Sequence, residues 1–179
     1  AKPAVTNKRA DEMGEKLAAE MLVFQRLVDE LKAKRDSKAP LQNRFEQIVS
    51  EATDLFGVAP TWTAFYRETV GVEGSVRALL CNDEEMLAYE ESRACCKVME
   101  MLTALRSRDL PDCDPSEPQR MITVRLPKSL HDHICWEANE LKVSVNKLCI
   151  TRMLQRVDRT MIPTSTKKRR GRRPGADYT

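Results

Sequence analysis

Residues 121–130 read MITVRLPKSL, and the fold of the C-terminal part turns on how this stretch finds a partner. Ile122, Val124 and Leu126 alternate with Met121, Thr123 and Arg125, the period of two that marks a strand with one buried face. Pro127 stops it, because proline cannot donate to a ladder and suits the first turn of a helix. No second convincing strand is legible anywhere in the 179 residues. A lone strand leaves a row of backbone groups unpaired, so its partner has to come from elsewhere.

Downstream of Pro127 the pattern predicts two helices, over about 128–141 and 145–160, joined by a short turn through Leu141-Lys142-Val143. Ser144 is the natural N-cap of the second. Upstream lies DLPDCDPSEPQ, residues 109–119, with three prolines, four acids and no periodicity, which reads as a linker. Residues 1–108 read as a helical domain. A long helix over 8–36 carries Leu17, Met21, Phe24, Val28 and Leu31 on one stripe, widened by Leu22, Val23 and Leu27. Pro40 opens a second helix with Leu41, Phe45, Ile48, Ala52 and Leu55 on one face, and Gly57 is its expected stop. A third begins near Pro60 with the aromatic cluster Trp62, Phe65 and Tyr66, expected in the core. GVEG at 71–74 breaks it before a helical turn or two, SVRALL. Asn82 or Asp83 then caps one long helix running to about Arg108.

Composition bounds the function classes. Hydrophobic residues make up 41% and charged residues 32%, the balance of a folded, soluble chain. No apolar run is long enough to span a membrane and the first residues lack the apolar core of a signal peptide, so the expected location is the cytoplasm or nucleoid. The six cysteines form no C-x-x-C pair and are expected to be reduced and mostly buried. His131 and Cys135 share a helical face, but two ligands do not make a metal site, and no metal or cofactor is expected. Nor is an enzyme, since no paired nucleophile and base, glycine-rich phosphate loop or H-E-x-x-H is present. The net charge of +3 conceals an asymmetry. Residues 1–110 hold 16 Lys and Arg against 19 Asp and Glu, whereas residues 111–179 hold 14 against 8, which points to a polyanion partner at one end only.

Taken together, residues 120–161, RMITVRLPKSLHDHICWEANELKVSVNKLCITRMLQRVDRTM, resemble the ribbon-helix-helix DNA-binding family, which includes the Arc and MetJ repressors and antitoxin-like proteins with a HicB-type C-terminus. The resemblance rests on the alternating strand, Leu126-Pro127 and Ser144-Val145-Asn146 at that separation. It implies a homodimer in which the same strand from each chain pairs antiparallel into a two-stranded ribbon. Independently, some 40 residues cannot bury a self-sufficient core. The ribbon of this family enters the major groove of double-stranded DNA, and the resemblance places Met121, Thr123 and Arg125 at its base-reading positions. It likewise assigns phosphate contacts to Lys128 and to Ser144, Val145, Asn146 and Lys147 at the start of the second helix. Trp136 and Ile134 are expected in the dimer core. The family's turn often uses a left-handed glycine, where this chain has Lys142.

The segment 162–179 is expected to be a disordered basic tail. Within it Lys167, Lys168, Arg169, Arg170, Gly171, Arg172, Arg173 and Pro174 resemble an AT-hook, with one arginine more before the proline than the Arg-Gly-Arg-Pro core. A basic arm that neutralises phosphates without reading sequence is the other reading of these residues. The whole is expected to be a mainly α protein, a dimeric transcriptional regulator or repressor. Two other roles stay open: an antitoxin whose helical domain binds a protein partner, and an architectural chromosome- or plasmid-organising protein assembled beyond the dimer.

Overall fold

The computed structural model describes residues 8–108 and 120–155, with side chains from residue 14 onward. Among these residues there are eight α-helices and no β-strand, and no helix is long and apolar enough to cross a membrane. The chain divides into two compact units, Ala1–Arg120 and Met121–Thr179.

The first unit holds α1 (Lys8–Ala33), α2 (Leu41–Val58), α3 (Trp62–Thr69), α4 (Ser75–Leu79), α5 (Asp83–Glu90) and α6 (Arg93–Ser107). Helix α2 is the hub, packed against α1, α3, α4 and α6. It buries Phe45, Ile48, Ala52 and Leu55 at helical spacing against Phe24 and Val28 of α1, Phe65 of α3, Leu79 of α4 and Val98, Leu102 and Leu105 of α6. Gly57 does not stop α2. The helix runs to Val58 and ends because Ala59 precedes Pro60, which forces it extended. Of the aromatic cluster, Phe65 is fully buried, whereas Trp62 and Tyr66 are half-buried and Trp62 lies under the Arg106 guanidinium. At the turn after α3, a Cβ on Gly71 or Gly74 would run into the backbone of Arg67 and Thr69, so only glycine fits.

The single long helix expected over 82–108 is two helices. Asn82 caps α5 by accepting from the Glu85 N–H at 2.8 Å. At the break the Ser92 hydroxyl donates to the Tyr89 carbonyl at 2.6 Å and accepts from the Cys95 N–H at 3.3 Å. A serine that offers the backbone both bonds locally competes with helix continuation and starts a new one. The α1 stripe is also narrower than expected. Phe24, Val28 and Leu31 are buried, while Leu22 and Val23 face solvent. None of the described cysteines is buried: Cys81 and Cys96 are exposed, and Cys95, Cys135 and Cys149 are half-buried, all as free thiols.

Three buried or part-buried acids tie the first unit together. Arg44, itself buried, grips both oxygens of Glu85 at 2.9 and 2.7 Å and donates to the Leu79 carbonyl at 2.8 Å. That fork holds the Glu85 carboxyl down at about 2, with help from the Cys81 N–H. Glu51 accepts from Arg35 at 3.0 Å and Gln47 at 3.2 Å, yet burial pushes its pKa above the usual carboxylate range. Glu68 pairs with Lys32 at 2.9 Å and Arg67 at 3.0 Å.

The second unit contains α7 (Lys128–Glu140) and α8 (Val145–Leu154), which pack on each other. Among its described residues, only Ala138 and Leu148 are buried apolar side chains.

Candidate nucleic-acid interface

Residues 120–127 carry no helix or strand. The expected buried face is open. Ile122 and Val124 are 69% and 66% exposed and Leu126 is 40% exposed, beside Met121 at 94%. A strand is defined by the chain it bonds to, and the described residues offer none, so the alternation has no sheet to sit in. Thr123 and Arg125 are exposed on the same segment. Trp136, expected in an apolar core, is 59% exposed and stacks on His133 with ring centroids 6.1 Å apart; Ile134 is half-buried.

The two helices are joined as the local chemistry dictates. Helix α7 starts at Pro127, whose carbonyl accepts from the His131 N–H at 3.0 Å. At its far end the Lys142 N–H donates to Asn139 at 3.1 Å and the Val143 N–H to Ala138 at 3.0 Å. This pair of bonds is a Schellman motif, which requires a left-handed residue between helix and turn. Lys142 takes that role with φ 54°, the sole positive φ among described non-glycine residues. Ser144 then caps α8 by accepting from the Lys147 N–H at 3.1 Å. The Val145 and Asn146 amides at this helix start have no intrahelical partner to reach, and the positive end of the helix dipole lies beside the Lys147 side chain. Lys128, Ser144, Val145, Asn146 and Lys147 are all exposed. Arg152 of α8 pairs with Glu137 of α7, fixing the two helices against one another.

The structure therefore joins Ser144 to Lys147 in one helix cap, and leaves Met121, Thr123 and Arg125 exposed on a segment without helix or strand. The tail residues Lys167 to Pro174, the linker and the last part of the expected second helix, 156–160, lie outside the described residues.

His131 and Cys135 do face each other across one helical turn, with Sγ 3.7 Å from Nε2. No group of three or more His, Cys, Asp or Glu side chains is placed to hold a metal among the described residues. An open groove of about 580 Å³ that the sequence did not signal lies between α2 and α6, lined in part by Phe45, Val49, Ser92 and Arg93.

No family model, curated protein or solved structure matches the chain.

Proposed function

We propose that the chain is a dimeric, sequence-specific DNA-binding protein of the ribbon-helix-helix kind, acting as a transcriptional regulator. The observation that carries this reading is an incomplete fold: an alternating, exposed segment at 121–126 precedes two helices that bury only Ala138 and Leu148. A second copy, pairing 121–126 antiparallel, would satisfy the open backbone groups and cover Ile122, Val124 and Leu126 in a single step. The opposite face of the ribbon would then present Met121, Thr123 and Arg125, twice, to a major groove. Arg125 can fork onto guanine O6 and N7, Thr123 can donate or accept, and Met121 offers an apolar contact to a thymine methyl. The capped start of α8 with Lys147, and Lys128 at the start of α7, supply phosphate contacts that position the ribbon without reading sequence. The basic tail adds affinity by tethering, as a minor-groove hook or as a plain phosphate-neutralising arm.

The test is selection of bound duplexes from a random pool across a salt series. Wild-type protein is expected to enrich a repeated site that survives moderate salt. Thr123→Ala with Arg125→Ala should erase the enrichment, at about 1–3 kcal/mol of discrimination per lost bidentate contact. Retention that follows only A·T content or charge would rule out base reading by 121–125.

A further inference from the structure

Helix α1 carries two apolar faces, and the described residues of its own unit cover only one. Phe24, Val28 and Leu31 are buried, while on the opposite side Leu22 is 64% and Val23 58% exposed, next to the exposed Ala18 and Ala19. With 3.6 residues per turn, Glu15, Ala18, Ala19, Leu22, Val23 and Arg26 form one continuous stripe. Glu15 and Arg26, at its two ends, are exposed and have no ion pair among the described residues. The charges beside the stripe are already engaged: Lys16 with Glu20 at 3.9 Å, and Asp29 with the Gln25 amide at 3.0 Å.

The stripe is complementary to its own reverse. We infer that α1 of one chain pairs antiparallel with α1 of a second copy, about a two-fold axis between Glu20 and Met21. In that register Glu15 faces the second copy's Arg26, Ala18 faces its Val23 and Ala19 its Leu22, and each contact occurs twice, as an isologous interface demands. A small residue opposite a large one at both apolar layers lets the helix axes approach closely. The ends close on opposite charges. A parallel pairing in register would set Glu15 against Glu15 and Arg26 against Arg26, so the charges also choose the direction.

The stripe is short, about 18 Å of helix, and covers far less than the roughly 800 Å² per partner of a stable complex. This contact is therefore weak by itself, and adds to any other association of the chain through effective concentration. It uses residues of the first unit only and does not rest on the DNA-binding reading.

Charge reversal gives a test that a merely structural role would not pass. Glu15→Arg alone sets two arginines against each other in every pair, and Arg26→Glu alone sets two glutamates. A mixture of the two variants makes both contacts attractive again. Sedimentation of the full chain is measured in a Val124→Asp background, which charges the 121–126 segment, over a concentration series, with helix content checked by circular dichroism. The background protein is expected to self-associate weakly. Each single reversal should weaken this at least about tenfold, and the mixture should restore it. Leu22→Asp should abolish it.

A Val124→Asp protein that stays monomeric at every concentration overturns the α1 pairing, as does a mixture no better than either variant. The DNA-binding reading fails separately. If Val124→Asp leaves the wild-type mass unchanged while Glu15→Arg lowers it, α1 pairing stands and the ribbon does not.

Discussion

Residues 14–108 and residues 120–155 are both helical, yet they stand at opposite ends of what one chain can bury. The first unit closes over Phe24, Phe65, Ile48, Leu55, Leu102 and Leu105, each under 2% exposed, and fastens its rim with charge pairs such as Arg44 with Glu85. The second buries two apolar side chains and leaves Ile122, Val124, Leu126, Leu130, Trp136, Leu141, Val145 and Met153 in solvent. Apolar burial is worth about 25 cal/mol per Å², so the first unit has its driving force within itself, whereas the described residues of the second bury little of theirs. Helix content alone does not make a domain. What separates the two is whether the apolar faces meet inside one chain.

The largest expected effect breaks the first unit and spares the second. Leu102→Ala opens a cavity at a fully buried site and should cost about 2–5 kcal/mol, read as a lower denaturant midpoint for the first unit. In wild-type protein that transition should shift only slightly with protein concentration, through the weak α1 contact, whereas melting of the second unit should rise steeply with concentration, as for a fold completed by a partner. Two concentration-independent transitions would erase the contrast drawn above.

Acid should sharpen it next. Glu85 has a depressed pKa, so the stability it contributes is present above its unfolded value of 4.5 and is lost as the pH falls through about 2. Glu51, raised by burial, works in the opposite sense, since protonation relieves the cost of burying its charge. Stability of the first unit measured by urea at pH 5, 3 and 2 is expected to drop over that window, and Glu85→Gln should flatten the drop. An unchanged slope in the variant would deny the Arg44 fork its role.

The smallest effect lies in the second unit. Lys142 holds a left-handed conformation that costs a side-chain-bearing residue about 1 kcal/mol, so Lys142→Gly should stabilise the α7–α8 turn by about 0.5–1 kcal/mol. A thermal shift measured at one fixed concentration reads it. A lower melting point would mean that the lysine side chain, not the backbone, matters at this turn.

Features set by neighbours in sequence were the legible ones. The Pro127 start of α7, the Ser144 cap, a cap at Asn82 or Asp83 and the 71–74 break follow from a few adjacent residues, whereas the left-handed position at Lys142 came from the family resemblance. The Ser92 break was hidden because its flanking residues continue an acceptable helical pattern, and only the hydroxyl's two local bonds tip the balance. Leu22 and Val23 looked like part of the core because periodicity shows that a helix has apolar faces but not which of them is covered. The Arg44–Glu85 pair spans 41 positions, beyond any local rule. At 121–126 the alternation was plain, but the described residues give it neither a pairing strand nor burial.

One consequence follows from how the chain's two tryptophans are shared out. Trp62 sits in the first unit, half-buried under Arg106, and Trp136 sits in the second, largely in water. Each unit thus carries its own fluorophore. In a Trp62→Phe protein the remaining emission should move to the blue on assembly, if assembly covers α7. In a Trp136→Phe protein the spectrum should ignore assembly and respond only when the first core melts. A single fluorimeter cuvette can therefore follow the halves separately, without a label.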